Sequence, residues 1–189
     1  MNLNYHIILA SKSPRRQELL RSLGLDFEVQ VKSIDESFPP NTPALKVAEF
    51  IAQKKSEAFG PLNKDVLLIT SDTVVIADGK ILGKPKDSSE AFAMISSLSG
   101  NTHSVATGVC LRTTDKVDSF TSVTSVSFDA LEDQEILHYI NTYMPFDKAG
   151  SYGIQEWIGM IGINKIEGDF YNVMGLPLNA LYKRLKAFK

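Results

Sequence analysis

The chain has 189 residues, 43% hydrophobic and 22% charged, so it is long enough to bury one core and form a single domain. Its net charge is −2, from 20 basic and 22 acidic residues, which argues against broad binding to nucleic acid or to a membrane surface while permitting a local cationic site. The single cysteine, Cys110, excludes an intramolecular disulfide framework; the sequence shows no secretion signal or bilayer-length apolar run, and a cytoplasmic location is expected.

Short apolar strands alternate with amphipathic helices along the first half of the chain. The pattern predicts strands over 7–10, 27–31 and 66–70, and helices over 14–23 and from Thr42 and Pro43 to about Phe59. Asp78 and Gly79 predict the turn of a β-hairpin, since this dipeptide favours the backbone that a two-residue hairpin turn needs.

The second half continues the alternation. Helices are predicted over 88–98, 132–142 and 178–188, and strands over 105–111 and 122–128. The chain contains no repeat or linker. We therefore predict one α/β domain over 1–189, with a mixed, twisted central sheet flanked by helices.

The start of the first helix carries an unusual concentration of positive charge. Ser13 suits the cap and Pro14 suits the first helical position, yet three cations surround them where acidic side chains are normally favoured. A phosphate group would relieve this charge, because free amides, the helix dipole and arginine forks all match phosphate oxygens. The alternative is a solvated basic turn paired with surface carboxylates. The predicted phosphate-binding residues are Ser11, Lys12, Ser13, Arg15 and Arg16.

Further polar clusters occur where predicted elements end, which is where open α/β sheets bind ligands. They are Asp35-Glu36, Lys54-Lys55, Asp72, the segment "GKPKD" with Lys84, and the loop "DKAGSYGIQ" from Asp147 to Gln155. Each has a simpler interpretation, such as turn carboxylates, a solvated helix face or hairpin punctuation. Asp72 is the hardest to explain in this way, because a charge beside a buried strand is costly when unpaired. His103 is predicted to be a hydrogen-bonded structural histidine and Cys110 a core residue.

Together, the clusters match the needs of nucleoside triphosphate cleavage. That reaction uses a divalent cation on the phosphate oxygens, carboxylates to hold it, cationic side chains to balance the leaving group, and a base for the attacking water. Glu36 and Asp72 can supply the carboxylates. No phosphate-binding glycine loop of the Walker type and no Ser-His-Asp grouping stands out. Attack by water is therefore favoured over a covalent intermediate.

Six segments also carry a resemblance. The sequences "ASKSPRRQELL", "SDTVV", "LGKPKD", "LSGNTHSVATGV", "DKAGSYGIQ" and "EGDFYNVMGLPL" resemble, in order, the Maf family of nucleoside triphosphate pyrophosphatases. The resemblance implies a two-lobed fold with a cleft, shared with inosine triphosphate pyrophosphatases. It also implies hydrolysis of a triphosphate to the monophosphate and pyrophosphate, dependence on Mg²⁺ or Mn²⁺, and a homodimer as one option.

The resemblance assigns roles to individual positions. Asp72 matches the proton acceptor, Glu36 a second carboxylate that would hold the metal with Asp72, and Lys55 and Lys84 match catalytic cations. Asp35 and Lys54 remain open as alternatives to their neighbours. Alignment with the family pattern favours Glu36, and the spacing favours Lys55. Glu156 departs from the family pattern, where a small residue is more common.

Substrate choice is implied by Arg15, Thr73 and Gln155, which match the branch acting on dTTP and UTP and linked to modified pyrimidine nucleotides. The amide of Gln155 offers both a donor and an acceptor, as thymine and uracil do. The alternatives are the 7-methyl-GTP branch and a nucleotide-responsive regulator of septum formation with little turnover.

Overall fold

A mixed seven-stranded sheet forms the centre of the molecule in this computed structural model, which describes residues 3–188. The strands are β1 (His6–Leu9), β2 (Glu28–Val29), β3 (Val66–Ala77), β4 (Lys80–Leu82), β5 (Thr102–Arg112), β6 (Val117–Phe128) and β7 (Ile163–Glu167). The helices are α1 (Pro14–Ser22), α2 (Ala44–Glu57), α3 (Ser88–Leu98), α4 (Asp133–Tyr143), α5 (Trp157–Gly162), α6 (Phe170–Met174) and α7 (Leu178–Leu185). The mixed α/β class is confirmed; residues 1, 2 and 189 of the predicted domain lie outside the described residues.

The strands are ordered β2-β1-β3-β5-β6-β7, with β4 attached to the far end of β3. β1 runs parallel to β2 and β3, and the remaining pairs are antiparallel. On one edge, β3 pairs first with β1, up to Ile69, and then with β4, from Val75. Within residues 3–188, the intervening stretch 70–74 has no strand on that side, so part of the β3 edge is left uncovered.

The strand predicted over 66–70 is longer than its apolar run. β3 continues through Ser71, Asp72 and Thr73 to Ala77, because it pairs with β5 without interruption from Leu68 to Ile76. The expectation that Asp72 follows the strand was therefore wrong: Asp72 lies within β3, opposite Gly108 of β5. Tertiary pairing keeps polar residues in a strand that the sequence pattern would have ended.

Other local predictions are mostly confirmed. The Ser13 side chain caps α1 by accepting a hydrogen bond from the Arg16 amide, and Pro14 takes the first turn. Asp78 and Gly79 form the hairpin turn between β3 and β4, both with positive φ. The strand expected over 27–31 shrinks to two residues. The elements α5, β7 and α6 were not predicted, because the two helices have only six and five residues and β7 is largely exposed.

Apolar packing divides one face of the sheet into two clusters. The first joins β1, α1 and α7 through residues such as Leu9, Leu20 and Leu181; the second joins α3, α4 and α5 through residues such as Ile95 and Ile140. Between them the sheet presents Ser71, Thr73 and Thr107 instead of apolar side chains. This polar band separates the two apolar clusters, which correspond to the two lobes that the resemblance implies.

Helix α2 covers the opposite face of the sheet at unusually short range. Its Val47, Ala48 and Ile51 pack on Val74, Ile76 and Ala106. A Cβ atom at Gly108 would lie only 2.2 Å from the Glu49 backbone nitrogen, so the glycine is what lets α2 lie directly on β5. Among residues 3–188, no helix has both the length and the apolar character needed to cross a membrane.

Candidate active site

A cleft of about 630 Å³ opens beside the uncovered stretch of the β3 edge. All the residues predicted for the site line it, although they come from six separate segments of the chain. They are Ser11, Lys12, Ser13, Arg15, Arg16, Glu36, Lys55, Asp72, Thr73, Lys84 and Gln155. The structure thus brings the whole predicted set together.

The cleft is strongly cationic in a protein whose net charge is negative. Seven Lys and Arg side chains line it against three carboxylates, so it carries an excess of four positive charges, whereas the chain as a whole carries −2. The two cations missing from the predicted set are Lys32 and Lys148. Partly enclosed charge of one sign concentrates the local field, which attracts an anionic ligand.

Lys55 joins the two candidate catalytic carboxylates. Its Nζ lies 2.6 Å from Asp72 Oδ1 and 2.8 Å from Glu36 Oε1, and the Lys55 and Asp72 side chains are each only about one-sixth exposed. Partial burial opposes ionisation of Glu36, but hydrogen bonding to Lys55 and the charges of Lys55, Lys84 and Arg16 outweigh it and lower the pKa of Glu36. Glu36 is therefore a carboxylate at neutral pH.

In each of the two pairs of adjacent like charges, Asp35-Glu36 and Lys54-Lys55, the structure places only the second residue in the cleft wall. Asp35 turns away from the cleft, where its carboxylate accepts hydrogen bonds from the amide and the hydroxyl of Ser37. Lys54 donates to the Ser37 carbonyl at 3.1 Å. Neither Asp35 nor Lys54 lines the cleft, whereas Glu36 and Lys55 do. The geometry agrees with the preference that alignment and spacing gave.

The guanidinium group of Arg16 forms three hydrogen bonds within the protein. Its Nε donates to the Gly175 carbonyl at 2.8 Å, one Nη to the Ser71 carbonyl at 3.0 Å and the other to Thr73 Oγ1 at 2.9 Å. Burial lowers the pKa of Arg16, and the carboxylate of Asp72 opposes that effect. These bonds fasten α1 to the uncovered part of β3, so Arg16 organises the cleft wall in addition to contributing charge.

Thr73 faces Arg16 and the polar band. Its hydroxyl accepts from Arg16 and shares a 2.9 Å hydrogen bond with the hydroxyl of Thr107, which in turn donates to the Asn172 carbonyl. Thr73 therefore lines the cleft itself and also holds Arg16 in position. Thr107 and Asn172 were not predicted as part of this arrangement.

The Arg15 side chain is about one-quarter exposed. It forms a 2.9 Å ion pair with Asp147, whose other oxygen accepts from Lys148 at the same distance. Burial opposes ionisation of Asp147, but bonding to Lys148 and the charge of Arg15 outweigh it and lower the pKa of Asp147. The basic turn of α1 is thus joined to the start of loop 147–156, the segment containing "DKAGSYGIQ" and Glu156.

Gln155 projects from that loop into the cleft wall. Its Oε1 is buried and has no hydrogen-bond partner among the residues that the structure describes. A buried acceptor without a partner is unfavourable, which sets this oxygen apart from the hydrogen-bonded polar groups of Arg16 and Thr73.

Two residues predicted to be structural are confirmed as such. His103 is buried with its Nε2 2.7 Å from the Tyr152 hydroxyl, and burial lowers the pKa of His103 to about 4, so the ring is neutral. Cys110 is buried in β5, and burial raises the pKa of its thiol.

The predicted site set does not include Lys32, Lys148, Gly175, Thr107 or Asn172. All but Lys32 lie inside segments that carry the family resemblance, "DKAGSYGIQ", "EGDFYNVMGLPL" and "LSGNTHSVATGV". The signal was therefore present, but nothing in their residue types separated them from their neighbours.

Comparison with known proteins places the chain among relatives of similar length. A family model described as "Maf-like protein" matches residues 6–188. The chain is 50% identical over 184 residues to a dTTP/UTP pyrophosphatase of Bacteroides thetaiotaomicron, covering 96% of this chain and 95% of the relative. It is 51% identical over 180 residues to the protein of the same name from Flavobacterium psychrophilum, covering 95% and 92%.

Among solved structures, a HAM1 protein from Coxiella burnetii aligns with 97% of this chain and 99% of its own length, at 15% identity and a TM-score of 0.49.

Proposed function

The chain belongs to the Maf family, and from that premise we propose that its cleft hydrolyses dTTP and UTP to the nucleoside monophosphate and pyrophosphate. The observation that carries the proposal is the meeting of Glu36 and Asp72 at Lys55 inside a cationic cleft. Relatives about 50% identical over nearly the whole chain bear the name of this activity.

The phosphate chain binds at the basic turn. The N-terminus of α1 contains no acidic side chain in its first turn, so the positive end of its dipole meets no competing carboxylate on the helix itself. Ser13 already caps the Arg16 amide and Pro14 has no N–H, which leaves the Arg15 amide to face an anion. Ser11, Lys12, Ser13 and Arg15 line the cleft at this point. Arg15 exchanges Asp147 for phosphate oxygens, since arginine binds both anions with the same planar fork.

Asp72 acts as the proton acceptor for the attacking water. Lys55 binds its Oδ1, which stabilises the anion and leaves Oδ2 to accept the proton. Water adds to the α-phosphorus, and the bond from that phosphorus to the oxygen bridging to the β-phosphate breaks. Pyrophosphate leaves with the electron pair of that bond, and the water proton passes to Asp72. Lys84 and Lys55 balance the charge that develops on the leaving group.

The carboxylates also fit a divalent cation. Glu36 and Asp72 already converge on one positive charge, and magnesium is commonly held by one or two carboxylates together with substrate phosphates. Among residues 3–188, no three His, Cys, Asp or Glu side chains form a metal site, so substrate oxygens would complete the coordination. Glu36 and Asp72 would hold Mg²⁺ or Mn²⁺, which when bound neutralises charge on the phosphate oxygens.

Base recognition falls to Gln155. Thymine and uracil present an N3–H donor between two carbonyl acceptors, and the unpartnered Oε1 of Gln155 accepts from such a donor. A base lacking that donor leaves a buried oxygen unsatisfied, which disfavours it strongly. Arg15 and Thr73 contribute to selectivity through contacts at the cleft wall, Thr73 also by way of Arg16.

The test is the rate of hydrolysis of a panel of nucleoside triphosphates by the purified protein with Mg²⁺ or Mn²⁺. The proposal predicts the highest kcat/KM for dTTP and UTP, with CTP and purine nucleotides well below them. Preference for 7-methyl-GTP would keep the chemistry and overturn the base assignment. Tight binding without turnover would instead identify a nucleotide-responsive regulator.

A further inference from the structure

Loop 147–156 is anchored by hydrogen bonds to α4 and by an ion pair, and these polar groups lie among apolar side chains. Tyr139 of α4 is fully buried, and its hydroxyl donates to a carboxylate oxygen of Glu156. The same hydroxyl accepts from the Gly153 amide at 3.0 Å. The other Glu156 oxygen lies 3.1 Å from Lys148 Nζ. The Tyr139 phenol thus joins α4 to the C-terminal part of the loop, and the ion pair joins the two ends of the loop to each other.

The ion pair between Lys148 and Glu156 is largely removed from water. The Lys148 side chain is 8% exposed and that of Glu156 is 18% exposed, beside a cluster containing Ile136, Ile140 and Ile158. Buried charges lose their hydration, and their mutual attraction offsets that loss only when the pairing and the additional hydrogen bonds have good geometry. Burial and the neighbouring Glu156 raise the pKa of Tyr139, so its phenol remains a donor.

The loop is shaped closely around the Glu156 carboxylate. A Cβ atom at Gly153 would lie 2.8 Å from Glu156 Cδ, so no larger residue fits there without a shift. The Glu156 amide also donates to the Gly153 carbonyl at 3.0 Å. Gln155 lies between these two anchored residues, and its Oε1 has no hydrogen-bond partner among the residues that the structure describes.

The orientation of that amide decides which pyrimidine it can read. Uracil presents an N3–H donor, whereas cytosine presents an N3 acceptor beside an amino donor, and a glutamine amide turned by half a rotation suits cytosine. We infer that Tyr139 and Glu156 are positioning residues for base selectivity, because they fix the loop segment from which Gln155 reaches the base. This inference rests on the proposed function and names the groups that enforce its selectivity.

The experiment measures kcat/KM for UTP and for CTP in the full-length protein and in Tyr139→Phe, Glu156→Ala and Glu156→Gln. Tyr143→Phe is the matched control, because its ring stacks on that of Tyr139 at 5.1 Å while Tyr143 is more than one-third exposed. The ratio of the two kcat/KM values is the readout. Partial unfolding lowers both values equally and leaves the ratio unchanged, so a merely structural role would not alter it.

We expect the UTP to CTP ratio to fall about tenfold or more in Tyr139→Phe and Glu156→Ala, the effect of one buried hydrogen bond to a charged group. Glu156→Gln keeps an acceptor for the Tyr139 hydroxyl and should retain a ratio closer to that of the unaltered protein, while Tyr143→Phe should match it. An unchanged ratio in Tyr139→Phe and Glu156→Ala would overturn the inference alone. Failure of the unaltered protein to hydrolyse UTP or dTTP would overturn the proposed function and the inference with it.

Discussion

Substitution of Gly108 by alanine should damage both stability and catalysis, although residue 108 does not line the cleft. The added Cβ would lie 2.2 Å from the Glu49 nitrogen and 2.3 Å from Ala48 C and Glu49 Cα. Ordinary contact begins near 3.4 Å, so α2 must retreat by about 1 Å. Overpacking of this kind costs about 1 to 3 kcal/mol, and rigid backbone neighbours place this case at the upper end.

The same retreat carries Lys55 away from Asp72, because Lys55 is on α2 and Asp72 lies opposite Gly108. A shift of about 1 Å in a catalytic group can lower the rate about a hundredfold. We expect Gly108→Ala to lower Tm by roughly 6 to 12 °C, since 1 kcal/mol corresponds to about 2 to 4 °C at this chain length. It should also lower kcat/KM by roughly a hundredfold.

The matched control for stability is Gly83→Ala, where a Cβ would meet nothing within 4 Å. Calorimetry should show a Tm close to that of the unaltered protein for this variant. A Gly108→Ala protein with unaltered Tm and unaltered kcat/KM would refute the packing of α2 on β5 and its role in placing Lys55.

Three further predictions concern the charged residues of the cleft. Asp72→Asn should lower kcat about 100- to 10,000-fold. Binding of dTTP to this variant, measured by calorimetry, should persist. Weaker binding with an unaltered kcat would contradict the role of Asp72 as proton acceptor. Lys55→Met removes the main influence that lowers the pKa of Glu36, so that pKa rises and the acid limb of the kcat/KM profile should move to higher pH. An unmoved limb would argue against a requirement for ionised Glu36. Arg16→Lys cannot remake three hydrogen bonds with one ammonium and should destabilise the fold by about 1 to 3 kcal/mol in urea unfolding; unchanged stability would refute the organising role of Arg16.

Local signals predicted those parts of the fold that local chemistry determines. Ser13 and Pro14 identified the start of α1, and Asp78 with Gly79 identified the β-hairpin, because capping and turn geometry depend on a few adjacent residues. The extent of β3 was not predictable in this way. Its polar stretch through Asp72 stays in the strand only because β5 pairs along its whole length, which is a long-range effect.

The identity of the candidate site residues could be predicted, but their partners could not. Residue types and the family resemblance selected the eleven residues that the structure brings into one cleft. The hydrogen bond from Arg16 to Gly175 joins positions 159 apart in the chain, and no pattern in the sequence indicates it. The same holds for the attachment of Glu156 to Tyr139, which accounts for the presence of a carboxylate where a small residue was expected.

The most direct test of the central claim is to identify the products formed from dTTP by the purified protein with Mg²⁺ or Mn²⁺, with Asp72→Asn in parallel. We predict equal amounts of dTMP and pyrophosphate, and almost none of either from the variant. Formation of dTDP and inorganic phosphate, or equal product from Asp72→Asn, would contradict the assignment of this cleft and of Asp72 within it.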